Sequence, residues 1–154
     1  MLPVRIFHYE ATKLYKRRRA LVQCLMRTLN NDAEEALDDV GLPVGSGMKD
    51  DLRDNRSGKI WVAWLAGKPI AWSMLTDRMD NNNLQVGVYV HPDFRRNGIG
   101  KRLLGKAKVY GKAEKRPIVS QAWDRRGKNF YSENRISHTG SWDHGGWIEH
   151  AWAP

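Results

Sequence analysis

The amino-acid sequence predicts an α/β fold, a single domain (residues 1–154) in which a mixed sheet carries helices on its faces. The length of 154 residues suits one compact domain and is short for two. Apolar residues make up 41% of the chain, which is enough to build a core and argues against disorder. From residue 59 onward, apolar segments of strand length alternate with helical patterns, and this order favours helices packed on a sheet.

The N-terminal part of the chain is predicted to form one strand, two helices and a loop. Val4–Tyr9 has the composition of a short strand. Thr12 is a candidate N-cap for a helix that runs to about Leu29, with leucines at helical spacing. Asp32–Val40 is predicted to be a second, acidic helix, and the polar segment Gly45–Gly58 a loop.

The rest of the chain is predicted to begin with a β-hairpin and a third strand. Lys59–Leu65 and Pro69–Thr76 flank the turn Ala66-Gly67-Lys68, and Leu84–Val90 follows as a strongly apolar strand. Gly98–Lys112 is predicted to be an amphipathic helix, because its apolar residues fall within a sector of about 140°. The last predicted elements are a strand, a helix and a closing hairpin, at Pro117–Trp123, Arg126–Glu133 and Ser141–Ala153.

The net charge of +9 is concentrated in one part of the chain. Between Arg95 and Lys128 there are twelve basic and two acidic residues, whereas the other 120 residues carry a net charge of −1. A local excess of this size predicts an anionic partner, either a polyanionic small molecule or a nucleic acid. The basic segment Lys13–Arg19 resembles a second such patch, but a charge run on an amphipathic helix is more often a solvated face.

Several classes of protein and site are excluded by composition. Cys24 is the single cysteine, so neither an internal disulfide nor a cysteine metal cluster can form. The apolar runs are too short to span a membrane, and the N-terminal charges follow the apolar residues, unlike those of a secretory signal. We therefore expect a cytoplasmic protein without a metal or a membrane partner, either a monomer or a homodimer.

The segment Val88–Leu104 carries the strongest chemical signal. It consists of an apolar strand, an exit marked by Pro92, an arginine-rich loop with two glycines, and the start of a helix. Backbone N–H groups in such a loop, together with the helix dipole, form an anion site that glycines leave open to a phosphate. A Walker loop is absent, and Leu103 stands where a dinucleotide fingerprint requires its third glycine.

Arg95-Arg96-Asn97-Gly98-Ile99-Gly100 matches the pattern Arg/Gln-x-x-Gly-x-Gly/Ala, and a strand ending in Val-x-Pro precedes it. In this it resembles the acyl-CoA-binding motif of the GCN5-related N-acetyltransferases, the GNAT superfamily. The resemblance implies a mostly antiparallel sheet of six to seven strands with helices on both faces. It also implies transfer of an acetyl group from acetyl-CoA to a primary amine of a small molecule or a protein.

By the same resemblance, the loop amides from about Arg96 to Lys101 bind the pyrophosphate of CoA. Either Asp124 or Asn129 fills the position of the family's CoA-contacting asparagine. The complete set of candidate CoA-binding residues is Val88, Tyr89, Val90, Arg95, Arg96, Asn97, Gly98, Ile99, Gly100, Lys101, Asp124 and Asn129.

Tyr131 is the candidate catalytic residue, because Phe130-Tyr131 resembles the family segment whose tyrosine protonates the departing thiolate. Arg135 and Ile136 replace the Gly-Phe that usually follows. The family's glutamate base on the Val-x-Pro strand has no counterpart here. The remaining candidate bases are Asp77, Asp80, Glu149, His91, His138 and His144. Gly87, inside the same strand, predicts a bulge or a close backbone approach.

A nucleic-acid-directed protein of the same fold is the alternative function. It would acetylate aminoacyl-tRNA or a DNA base, or simply bind nucleic acid. Because CoA carries three phosphoryl groups, basic residues near its site are expected under either hypothesis. The alternative requires additional positive surface away from the CoA site, and only Lys13–Arg19 and the outward lysines of the helix Gly98–Lys112 offer it.

Overall fold

The computed structural model describes residues 2–10, 13, 58–77, 82–122, 129–131, 133–134, 140–143 and 148–153. The strands are β1 (Arg5–Glu10), β2 (Lys59–Leu65), β3 (Lys68–Asp77), β4 (Leu84–Val90), β5 (Ile118–Ala122), β6 (Gly140–Asp143) and β7 (Ile148–Trp152). A 3-10 turn, Pro92–Phe94, leads from β4 to helix α1 (Ile99–Glu114), and residues 129–131 and 133 are helical. Apart from Lys13, which is helical, and Gly58, the predicted helices Thr12–Leu29 and Asp32–Val40 and the predicted loop Gly45–Gly58 lie outside the described residues.

The described strands form one seven-stranded sheet in the order β1-β2-β3-β4-β5-β7-β6. Every neighbouring pair is antiparallel except β4 and β5, which are parallel and are connected through α1. The predicted α/β fold with a mixed, mostly antiparallel sheet is thus confirmed. No helix in the described part of the chain is long and apolar enough to cross a membrane.

The hairpin between β2 and β3 forms where the sequence predicts it. Leu65 pairs with Lys68 across a two-residue loop. Ala66 and Gly67 have φ angles of 50° and 77°, as a type I′ turn requires. This turn fixes the register between β2 and β3.

Helix α1 packs its apolar side on β2, β3 and β4. Ile99, Leu103, Leu104 and Ala107 are all at most 2% exposed. They share one core with apolar residues from four strands, namely Trp61, Ala63, Ala71, Leu75, Leu84, Val86 and Ile118. The predicted apolar sector of the helix is therefore the surface that packs on the sheet, and this contact holds the start of α1 beside the end of β4.

Gly111, near the end of α1, allows the helix to approach β5 closely. A Cβ atom at this position would lie 2.8 Å from Cδ1 of the fully buried Ile118. We expect Gly111→Ala to lower the free energy of unfolding by about 1 kcal/mol or more, because overpacking outweighs the helix propensity that alanine adds. Gly105→Ala is the matched control, since its Cβ meets no atom within 4 Å, and we expect it to stabilise by about 0.5–1 kcal/mol. Urea unfolding of both variants measures this, and equal shifts would contradict the packing argument.

His8 on β1 predicts a pH dependence of stability. Its ring lies 5.3 Å from that of Trp61, and burial, with a smaller contribution from Lys59, lowers the pKa of His8 below 6.5 despite Glu10. Because the unfolded chain then binds the proton more readily, the folded state loses stability as the pH falls below about 6.5. As the pH is lowered, we expect the free energy of unfolding of the wild type, measured by urea titration, to fall relative to that of His8→Gln. A difference independent of pH would contradict this.

Candidate active site

The candidate site begins where β4 and β5 separate. β4 pairs with β3 along its whole length, but it pairs with β5 only from Leu84 to Val86. The N–H of His91 donates to Ile70 on the β3 side (2.9 Å), and that of Leu84 donates to Pro117 on the β5 side (2.9 Å). Because these directions alternate along an antiparallel strand, Val88 and Val90 also direct their N–H and C=O groups away from β3. Beyond Val86, these groups form an open strand edge.

The loop after β4 presents a set of backbone donors. Arg96 and Gly98 adopt left-handed conformations with φ angles of 65° and 75°, and the N–H of Arg102 makes the first helical bond, to Gly98 (3.1 Å). In the described part of the chain, no backbone carbonyl accepts from the amides of residues 96–101. These six amides, here called the amide cradle, lie at the positive end of the α1 dipole and suit a phosphate.

Two side chains of the motif brace this loop. The Nε of Arg95 donates to the carbonyl of Val90 (2.9 Å), and its guanidinium lies 5.9 Å from the centre of the Tyr89 ring. The Nδ2 of Asn97 donates to the carbonyls of Phe94 (3.0 Å) and Arg95 (3.1 Å). The sequence motif therefore supplies the internal hydrogen bonds of the loop as well as its glycines.

Loss of the Asn97 brace is expected to weaken acetyl-CoA binding. Asn97→Ala removes two hydrogen bonds of about 1 kcal/mol each from the loop, so the amide cradle must be ordered on binding. We expect KM for acetyl-CoA to rise about fivefold to thirtyfold with kcat nearly unchanged. Asn97→Asp should be worse, because it places a carboxylate against two carbonyl oxygens. Steady-state kinetics on both variants measure this, and an unchanged KM would show that the brace is dispensable.

The strand edge and the amide cradle border one cleft of about 760 Å³. Its described lining consists of Val88, Tyr89, Val90, Phe94, Arg95, Arg96, Gly98, Ile99, Gly100, Lys101, Asn129, Phe130, Tyr131, Glu133 and Asn134. Ten of the twelve candidate CoA-binding residues lie in this lining. Asn97 does not, since its side chain is directed into the loop, and Asp124 lies outside the described residues.

Four lining residues were not predicted from the sequence. They are Phe94, Phe130, Glu133 and Asn134. Phe130 approaches the start of α1 closely, because a Cβ atom on Gly100 would lie 3.0 Å from its ring. Phe130 could have been predicted from its place beside Tyr131 in the motif. For the other three residues, the sequence offers no indication beyond their proximity to motif residues.

Tyr131 lies both in the core and at the cleft. Its side chain is 6% exposed and packs edge-on against Phe130, with 5.2 Å between the ring centres. The structure thus brings the candidate catalytic tyrosine into the same cleft as the amide cradle. Its role in proton transfer remains a prediction.

None of the candidate bases belongs to the described lining. Asp77 pairs with Arg116 at the far end of β3, and the Nδ1 of His91 accepts from the N–H of Asp93 (3.2 Å). Glu149 lies in β7, whose backbone alone is described at that position. Asp80, His138 and His144 lie outside the described residues. The carboxylate found in the described lining belongs instead to Glu133.

The prediction for Gly87 is wrong. The β3–β4 register continues without a shift through the pair Met74–Gly87, so β4 has no bulge there. A Cβ atom on Gly87 would meet no described atom within 4 Å, so no described backbone segment approaches it closely either. A register shift is found instead in β2, between Ala63 and Trp64. Among the described side chains, no cluster of three or more His, Cys, Asp or Glu residues that could hold a metal ion is found.

Solved structures with similar folds cover nearly the whole chain. The PaiA N-acetyltransferase of Thermoplasma acidophilum, in complex with coenzyme A, is 13% identical, with a TM-score of 0.72 over 99% of this chain and 100% of its own. An acyl-CoA N-acyltransferase from Pseudomonas aeruginosa is 16% identical, with a TM-score of 0.72 over 97% and 99%. An aminoglycoside 6′-N-acetyltransferase complexed with coenzyme A is 12% identical, with a TM-score of 0.71 over 97% and 96%.

At these low sequence identities, structural similarity establishes the fold alone. The family is established by comparing the sequence with family models. Comparison with curated protein sequences returned no match. The family model described as "Acetyltransferase (GNAT) family" matches residues 21–134, which include the amide cradle, the open edge of β4 and Tyr131. The match spans about three quarters of the chain. The chain therefore belongs to the GNAT acetyltransferase family.

Proposed function

We propose that this chain transfers an acetyl group from acetyl-CoA to a primary amine of a small molecule or a protein. The observation that carries the proposal is one cleft in which the amide cradle adjoins the open edge of β4. CoA has matching chemistry, with a pyrophosphate at one end and a pantetheine arm containing two amides. Two of the structural neighbours were solved with coenzyme A, which supports the same assignment.

The residues present fit this cosubstrate. The six amides of the cradle and the α1 dipole suit the pyrophosphate, and the cationic side chains of Arg96 and Lys101 border the same cleft. The N–H and C=O of Val88 and the N–H of Val90 suit the pantetheine amides, which would add to β4 as a neighbouring strand does. The carbonyl of Val90 already accepts from Arg95. This arrangement directs the thioester along β4, away from the loop.

The proposed reaction is a direct attack of the amine on the thioester. The amine nitrogen forms a bond to the acetyl carbon, the carbon–sulfur bond breaks, and the nitrogen gives up one proton. Tyr131, which borders the cleft, is proposed to donate its phenolic proton to the departing thiolate. A water or a group outside the described lining must accept the proton from the amine.

The direct test is release of free thiol from acetyl-CoA across a panel of amines. The panel contains polyamines, lysine peptides, aminoglycosides and charged tRNA, and turnover with any amine in the first three classes supports the proposal. Saturating acetyl-CoA should also stabilise the protein, by about 2.7 kcal/mol at a concentration 100-fold above Kd. Neither turnover nor a thermal shift with acetyl-CoA would overturn it.

We further propose that the chain acts as a single domain in the cytoplasm. One cysteine in 154 residues is compatible with a reducing compartment, where disulfides contribute little to stability. Fractionation of the producing cells tests the compartment.

A further inference from the structure

The outward side of helix α1 carries a row of lysines that begins at the cleft. Lys101, Lys108 and Lys112 lie within about 40° of one another around the helix axis. Lys115, the C-cap of the helix, extends the row. These four residues are here called the lysine row, and it spans about 21 Å along the axis. Lys101 at its start borders the cleft.

Most of the lysine row is electrostatically unpaired. Lys101, Lys112 and Lys115 are exposed, and within the described ranges no carboxylate or carbonyl lies in contact with their ammonium groups. Lys108 is bound differently, since its Nζ donates to the carbonyl of Asn134 (2.5 Å) and lies 5.8 Å from the Trp152 ring centre. Among the described residues, therefore, nothing neutralises the charge that these three exposed lysines add to the surface.

Two arginines along this part of the chain have structural partners instead. Arg102 donates to the carbonyl of Val4 (3.2 Å), and Arg116 pairs with Asp77 and donates to the carbonyl of Asn82 (2.9 Å). The described positive charge of the segment thus divides into arginines with structural partners, cations at the cleft, the exposed Lys106, and the far end of the lysine row. Lys112 lies about 16 Å along the axis from Lys101. A pyrophosphate in the amide cradle would not occupy it.

The composition of this surface indicates its partner. Protein interfaces are depleted in lysine and depend on apolar or aromatic anchors. The described part of α1 exposes one large apolar side chain, Val109, while Tyr110 packs on Trp61. Unpaired lysines without such anchors suit a phosphate backbone, which is bound by charge and by counterion release.

We propose that the lysine row binds the phosphate backbone of a nucleic acid, independently of base sequence. Without outward aromatic side chains on α1 there is no stacking platform, so duplexes should bind at least as well as single strands. The interface goes beyond the proposed acetyl transfer and does not depend on it. It adjoins the cleft through Lys101, which a bound backbone and CoA would share.

The test is fluorescence anisotropy of the full chain with labelled DNA and RNA of about 20 nucleotides or base pairs, from about 50 to about 200 mM salt. The variant is Lys112→Glu with Lys115→Glu, and Lys112→Gln with Lys115→Gln serves if charge reversal destabilises the end of the helix. Lys68→Glu with Arg5→Glu is the matched control, because both residues are exposed and lie on other elements.

We expect the wild type to bind with a steep salt dependence. The lysine-row variant should bind at least about tenfold more weakly at low salt, and the slope of log K against log salt should fall by about two. The decrease in log K for nucleic acid in the matched control should be less than half of the decrease in the lysine-row variant. Acetyl-CoA turnover should be unchanged in the lysine-row variant. Comparing the affinities for DNA and for RNA identifies which type of backbone is bound.

Three results would overturn the proposal. The first is no binding of any nucleic acid at about 50 mM salt. The second is an equal loss in the matched control, which would indicate net charge alone. The third is equal or tighter binding of polyglutamate, which would indicate an acidic protein partner. A failure of acetyl transfer in the amine panel leaves these outcomes unaffected, so the two proposals fail separately.

Discussion

Gly98→Glu is expected to raise KM for acetyl-CoA by at least about 100-fold. Gly98 is the N-cap of α1 and borders the cleft, with its Cβ position open to space. A carboxylate there would face the phosphate that the amide cradle is proposed to bind. Two unit charges at about 4 Å interact by about 4 kcal/mol at the dielectric of a protein surface, which exceeds the 2.7 kcal/mol of a 100-fold change.

Gly67→Glu is a closely matched control for this variant. Gly67 has a φ angle of 77° against 75° for Gly98, and neither Cβ would meet an atom within 4 Å. Both substitutions therefore carry the same left-handed strain of about 1–2 kcal/mol and the same change in charge. Acetyl-CoA titration by thermal shift and by steady-state kinetics compares them. Equal effects of the two substitutions on KM would contradict phosphate binding at the amide cradle.

Local signals were sufficient to predict most of the described fold. The structure places β2 at Lys59–Leu65 and β4 at Leu84–Val90, as predicted, because β-branched and aromatic runs are bounded by turn residues. The predicted helix at Gly98–Lys112 is α1 at Ile99–Glu114, two residues longer at its C-terminal end. There the left-handed Lys115 ends the helix without the glycine that usually marks such a cap.

Long-range geometry explains what the sequence did not predict. The separation of β4 from β5 after Val86 cannot be recognised in the sequence, since the segment from Val86 to Val90 has the same residue pattern as a fully paired strand. The prediction of a bulge or a close backbone approach at Gly87 fails for the same reason: glycine occurs in strands for several reasons, and local sequence does not distinguish them. The direction of the Asn97 side chain depends on the fold of its loop, which composition does not specify.

The structure shows which parts of the local charge excess in the sequence already have partners and which parts border the cleft. Arg95 braces the loop through Val90, and Arg116 is paired with Asp77, so these two do not depend on a ligand for a partner. Arg96 and Lys101 border the cleft, where the proposed cosubstrate carries its phosphates. A polyanionic cosubstrate thus accounts for the cations at the start of α1, and the far end of the lysine row requires a separate explanation.

Tyr131→Phe is expected to lower kcat by about 100-fold while leaving KM for acetyl-CoA nearly unchanged. General acid catalysis raises the rate by about 10²–10⁴-fold, and this contribution is lost when the thiolate leaves without a proton donor. Phenylalanine keeps the ring that packs against Phe130, so the change in packing is small. An interaction made only in the transition state lowers kcat and kcat/KM equally, which separates it from a binding role.

Tyr110→Phe is the matched control for the catalytic tyrosine. Tyr110 packs against the same core, with its ring 6.3 Å from that of Trp61, and it lies outside the described lining of the cleft. If Tyr131 acts only through packing, both variants should lower the unfolding midpoint and leave kcat within about twofold of wild type. A loss of kcat confined to Tyr131→Phe, with both variants folded, assigns the proton to its hydroxyl. Equal turnover in all three proteins would instead require water to protonate the thiolate in this cleft.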